Sequence, residues 1–156
     1  MQKEVLTKDY KGKLEEREVI SFVPEGISMW PIIKGGKCSV IVGKKQSRAN
    51  EFDVIFYKRG EKNVLHRVIE VTEDGYVTMG DGLLFTEKVK KECVFGIMLG
   101  FYKGKRYISC DDLKYIKKVK KYYKRKTIRK IRIKIHYFFY RVKNKIKIIF
   151  KKKEND

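Results

Sequence analysis

Three side chains stand out for their chemistry and for the short motifs that hold them. Ser28 lies in Gly26-Ile27-Ser28-Met29-Trp30-Pro31, His66 in Val64-Leu65-His66-Arg67-Val68, and Asp81 in Met79-Gly80-Asp81-Gly82. A serine hydroxyl is a poor nucleophile at neutral pH and attacks a carbonyl only when a neighbouring base takes its proton. Histidine, with an ordinary pKa near 6.5, is the commonest such base. A carboxylate behind the histidine fixes its tautomer and balances the charge it gains. Each residue also has a plainer use. A serine between Gly and Pro forms turns, a strand histidine is often only hydrogen-bonded, and an aspartate before Gly suits an Asx-turn. The other histidine, His136, sits among like charges and aromatic rings and reads as a helix-face residue.

These side chains need elements to hold them. Val19-Ile20-Ser21-Phe22-Val23 reads as a strand leading into the serine turn, where Gly26 permits unusual dihedrals and Pro31 restrains its predecessor. Cys38 to Val42 is a β-branched run, and residues 52–57 and 64–71 form a hairpin around Arg59-Gly60-Glu61-Lys62-Asn63. Alternation along the second arm puts Val64, His66, Val68 and Glu70 on one face, and Leu65, Arg67, Ile69 and Val71 on the other. Asp74-Gly75 is a hairpin signal leading to Tyr76-Val77-Thr78-Met79, and strands at 94–99 and 105–108 close the set. Residues 1–20 read as polar chain with a turn at Lys11-Gly12-Lys13. The class expected is mainly β.

Charge divides the chain. Of its 156 residues, Asp111 to Asp156 hold 19 Lys and Arg against 4 acids, whereas residues 1–110 hold 20 against 15. A nearly balanced domain over 1–110 and a basic tail over 111–156 follow. In the tail Leu113, Ile116, Val119, Tyr123, Ile128, Ile131, Ile135, Phe138, Val142, Ile146 and Ile149 recur mostly every three or four residues. With neither Gly nor Pro after Gly104, the spacing predicts an amphipathic helix, long or broken once, with Asp111-Asp112 at its N-terminus. No apolar run is long enough to cross a bilayer, and the first residues carry no secretory h-region. Cys38, Cys93 and Cys110 have no paired spacing, and two distant histidines offer no zinc pattern, so neither metal nor cofactor is expected.

Taken in order, Ser28-Met29-Trp30-Pro31, Asp53-Val54-Ile55-Phe56, Leu65-His66-Arg67-Val68 and Gly80-Asp81-Gly82 resemble the signal peptidase I and LexA-like serine peptidase superfamily over roughly residues 19–100. The branch resembled is the one whose base is a histidine in an H-R-V motif rather than a lysine. The resemblance implies a LexA/signal-peptidase-like β core, Ser28 as nucleophile, His66 as base and Asp81 as third member. It implies an endopeptidase that removes a leader or signal segment from a precursor after a small residue. Gly26 has no hydroxyl to offer an oxyanion, so that role falls to backbone N–H groups including that of Ser28. The second acidic position of the branch is not matched, and Glu87 is the nearest carboxylate, which leaves Asp81 and Glu87 both open. Gly36-Lys37 stands where the family has Gly-Asp.

The other class open to the sequence is a catalytically silent module that acts through its basic tail. For the tail itself an anionic membrane surface reached through residues 111–150 is the expected partner. An acidic protein or nucleic acid is the rival; Tyr122, Tyr123, Tyr137 and Tyr140 are available to stack on bases. The expected location is cytoplasmic, with the tail holding the chain peripherally on the inner face of the membrane.

Overall fold

A computed structural model describes residues 9–153. In chain order these form α1 (Tyr10–Arg17), β1 (Val19–Phe22), β2 (Cys38–Lys44), β3 (Val54–Arg59), β4 (Lys62–Thr72), β5 (Gly75–Met79), β6 (Glu87–Lys90), β7 (Val94–Lys103), β8 (Arg106–Ser109), α2 (Leu113–Lys124) and α3 (Lys126–Lys153). The fold is mainly β. Its sheet runs β1-β2-β7-β3-β4-β5-β6, every pairing antiparallel, with β8 added beside the far half of β7.

The β-branched and aromatic runs become strands because they cover the sheet on both faces. In β3 and β4, Ile55 pairs with His66 and Tyr57 with Val64; in β4 and β5, Val68 pairs with Thr78. Opposed residues share a face, so Ile55, Tyr57, Val64, Val68, Tyr76 and Val89 meet in one apolar cluster, joined by Ala49 and Val94. His66 belongs to this face and Arg67 to the other, as the alternation predicts. On the face of β3 opposite Ile55 and Tyr57, Phe56 stacks at 5.0 Å with Phe22, and Tyr10 reaches the Phe22 and Phe56 rings at 4.6 and 5.5 Å.

Two elements differ from the sequence reading. Residues 10–17 are helical rather than a turn. Asp9 caps them by accepting the Gly12 N–H at 2.9 Å, Leu14 is buried, and Glu18 closes the helix in the left-handed region with φ 59°. The cap, the burial of Leu14 and the packing of Tyr10 on Phe22 and Phe56 outweigh the roughly 1 kcal/mol that Gly12 costs inside a helix. Residues 1–9 of that stretch lie outside the description except for Asp9. β6 is the second difference: Glu87-Lys88-Val89-Lys90 has one apolar residue, and only its pairing with β5 makes it a strand.

The described chain falls into two compact units, divided at Lys120. The first extends past the composition change at Asp111, because α2 carries Tyr115 and Val119 into the buried set. Tyr115 lies edge-on to Phe101 at 5.8 Å. In the second unit the tail is helical and broken once, at Arg125. There Arg129 sets its guanidinium 4.8 Å from the Tyr123 ring and 5.5 Å from that of Tyr122.

Candidate active site

The serine turn is built from backbone. Gly26 takes φ +78°, and Gly35 lies so near that a Cβ on it would come within 2.0 Å of the Gly26 carbonyl oxygen. The Gly36 N–H donates to Pro24 O at 2.8 Å, tying the two ends of the loop. Inside it, Trp30 N–H donates to Ile27 O and Ile33 N–H to Met29 O, while Met29 and Ile33 are buried. Ser28 stays half-buried. Among the described residues neither its hydroxyl nor its N–H has a hydrogen-bond partner, so both remain for a ligand.

Gly80-Asp81-Gly82 lies against this turn. The Gly82 N–H donates to Ser28 O at 2.7 Å. A Cβ on Gly80 would stand 2.4 Å from that same oxygen, and one on Gly82 would stand 2.6 Å from Ile27 O. Only glycine permits so close an approach of two backbones. Asp81, between them, is fully buried and accepts two hydrogen bonds from Arg67, Nε to Oδ1 at 2.8 Å and Nη2 to Oδ2 at 2.7 Å. Arg67 also donates to Phe52 O at 2.8 Å and to Tyr115 Oη at 3.2 Å.

The carboxylate hydrogen-bonded to His66 is therefore not Asp81. It is Glu87, whose Oε1 lies 3.0 Å from His66 Nδ1. The reason is strand geometry: His66 and Arg67 project from opposite faces of β4, and Asp81 serves Arg67. Glu87 reaches His66 because β6 pairs with β5 in the register Thr78 to Glu87, which puts it on the histidine face. Of the two acids left open by the sequence, the geometry of the imidazole favours Glu87.

The proton inventory around His66 fixes its tautomer. Tyr57 Oη donates its one proton to Glu87 Oε1 and lies 3.1 Å from His66 Nδ1. With that proton spent, Nδ1 must be the donor, toward Glu87 and Tyr57, and Nε2 carries the lone pair. Burial lowers the His66 pKa below the ordinary imidazole value, and the Glu87 carboxylate pulls against it. For Glu87, burial acts to raise the pKa, but hydrogen bonds from Tyr57 and Arg59 prevail and the net shift is downward. Arg59 Nη1 holds Glu87 Oε2 at 2.9 Å. Burial, then the bond to Glu87, pushes the Tyr57 hydroxyl far above the usual phenol range, so it stays a neutral donor.

Ser28 and His66 line one cleft of about 650 Å³. Tyr10, Phe22, Phe56 and Leu65 give it apolar walls; Arg59 and Glu61 stand among its polar lining. No direct hydrogen bond joins Ser28 to His66, whose partners are Tyr57 and Glu87. Sequence reasoning missed Tyr57 and Arg59; the signal for both was the odd-numbered face of β3, where a tyrosine and an arginine follow Ile55. Compared with family models, with curated proteins and with solved structures, the chain matches none.

Proposed function

We infer that this protein is a serine endopeptidase of the signal peptidase and LexA-like type, with Ser28 as nucleophile, His66 as base and Glu87 as the residue that orients and balances His66. The observation that carries this reading is one cleft lined by both Ser28 and His66, with a carboxylate on His66 Nδ1. In the first step Ser28 Oγ attacks the scissile carbonyl and its proton passes to His66 Nε2. Glu87 stabilises the imidazolium, and the Ser28 N–H donates to the oxyanion. The proton then goes to the leaving amine, and water, deprotonated by the same nitrogen, releases the acyl group from Ser28.

The cleft begins where β1 ends, at an edge of the sheet, and Phe22, Val23, Pro24 and Glu25 line it. A substrate strand laid along that edge gains main-chain bonds there, and its side chains meet the apolar walls. A leader or signal segment of a precursor, in extended form, is the class of substrate this reading assigns. The test is a peptide library digested by the wild-type protein and by Ser28→Ala, with products identified by mass spectrometry. Cleavage by the wild type that disappears in Ser28→Ala is expected. If both proteins cut alike, Ser28 is not the nucleophile; if neither cuts, the chain is a silent module that works through its tail.

A further inference from the structure

The longest element of the molecule, α3, contributes nothing to the cleft. At 3.6 residues per turn, Ile128, Ile131, Ile135, Phe138, Val142 and Ile146 fall on one stripe. All are exposed; Phe138 is 64% accessible and Ile131 and Ile135 are 52%. Lys134 and Lys145 border the stripe on one side, Arg132 and Lys143 on the other, and all four are exposed. From Leu113 to Lys153 the chain contains no Asp or Glu. A surface-lying helix of a soluble domain normally hides such a stripe and mixes its charges. Among the described residues, no helix is long and apolar enough to cross a membrane.

We propose that α3 lies in the plane of an anionic lipid surface, its Ile/Phe stripe in the acyl boundary and its two basic borders at the headgroups. The choice of occupant rests on charge and shape together. A row of apolar side chains flanked on both sides by unopposed cations complements a surface that is apolar beneath and anionic above. Nucleic acid complements the cations alone and would leave six aliphatic and aromatic side chains in water. The inference is independent of the peptidase reading, because none of these residues lines the cleft.

The test uses the full chain with vesicles of phosphatidylcholine, with and without phosphatidylglycerol, followed by flotation and by far-ultraviolet circular dichroism. Binding that needs the anionic lipid, weakens with added salt and raises helicity is expected. Neutralising the borders (Arg132→Gln, Lys134→Gln, Lys143→Gln, Lys145→Gln) should weaken partitioning by about 5-fold per base removed. Polarising the stripe (Ile131→Ser, Ile135→Ser, Phe138→Ser) should weaken it by about 10-fold or more. These side chains are exposed, so the β domain should stay folded in both variants, and Ser28→Ala should bind vesicles like the wild type. Equal binding to neutral and anionic vesicles, indifference to either set of changes, or salt-sensitive capture of duplex DNA or RNA with no vesicle binding would overturn the proposal.

Discussion

Glu87 Oε1 and His66 Nδ1 are 3.0 Å apart, and the same oxygen takes the proton of Tyr57. One carboxylate oxygen thus decides which nitrogen of His66 is free to act. Glu87→Gln replaces it with an amide that can offer an N–H to Nδ1 and favour the wrong tautomer. Turnover should fall about 100-fold or more, with KM little changed. Rates measured at equal folded fraction, beside Tyr57→Phe, check this; Tyr57→Phe should cost less, since Glu87 remains.

The acid limb of the pH–rate profile should bend below pH 6.5, because burial depresses His66 and only the neutral ring accepts a proton. Glu87 opposes that depression, so in Glu87→Gln the bend should move lower still. Stability follows the same sign. The unfolded chain binds this proton more readily than the folded one, so stability falls as pH drops from 6.5 toward the folded pKa. Kinetics across pH 4 to 8 and denaturant titrations on the same samples test both; a bend above 7 would remove His66 as the base.

Arg67 and Asp81 make a different forecast. Both side chains are wholly buried, so removing one partner strands a charge, and Asp81→Asn should cost about 3–5 kcal/mol of stability. The double change Arg67→Met with Asp81→Leu should recover part of this, although Phe52 O then loses its donor. Chemical denaturation gives the numbers. If Asp81→Asn instead kept full stability and lost only turnover, Asp81 would belong to the chemistry after all.

Gly80→Ala should separate activity from folding. The added methyl would stand 2.4 Å from Ser28 O, so the serine turn must shift. Overpacking of this kind costs about 1–3 kcal/mol, which a domain can survive, whereas a nucleophile displaced by about 1 Å loses on the order of 100-fold in rate. Thermal unfolding and turnover on one preparation distinguish the two effects.

How much of this was legible beforehand depends on the kind of signal each residue leaves. Strands such as Cys38–Lys44 and Val54–Arg59 are announced by their own β-branched residues, and the tail by its spacing. Ser28 and His66 stand out by residue type, and alternation in β4 gave the correct face from Val64 to Val68. Past the bulge between Val68 and Glu70, Val71 packs on the His66 face instead of the Arg67 face where alternation put it. The pairing of Asp81 with Arg67 was not legible, because a turn carboxylate carries no mark of its partner; Arg67, adjacent to His66, was read only as part of a motif. Glu87 needed the register of β6, a strand whose composition is that of a loop. α1 needed a cap and a tertiary contact to outweigh its glycine. For Asp81, Glu87 and β6 the missing information lay in pairing between distant segments, which local spacing does not encode, whereas the Asp9 cap of α1 is local.

Tyr115 has a consequence for how the molecule divides. Its hydroxyl accepts from Arg67, the residue after His66, and its ring rests on Phe101. The basic extension is therefore not a detachable module from its first residue. Its opening turns belong to the β domain, and a chain ended at Cys110 would lose the hydroxyl that accepts from Arg67. Grafting another tail onto this domain, or this tail onto another domain, calls for a junction after Lys120. A graft made at Asp111 would exchange part of the β domain's packing along with the tail.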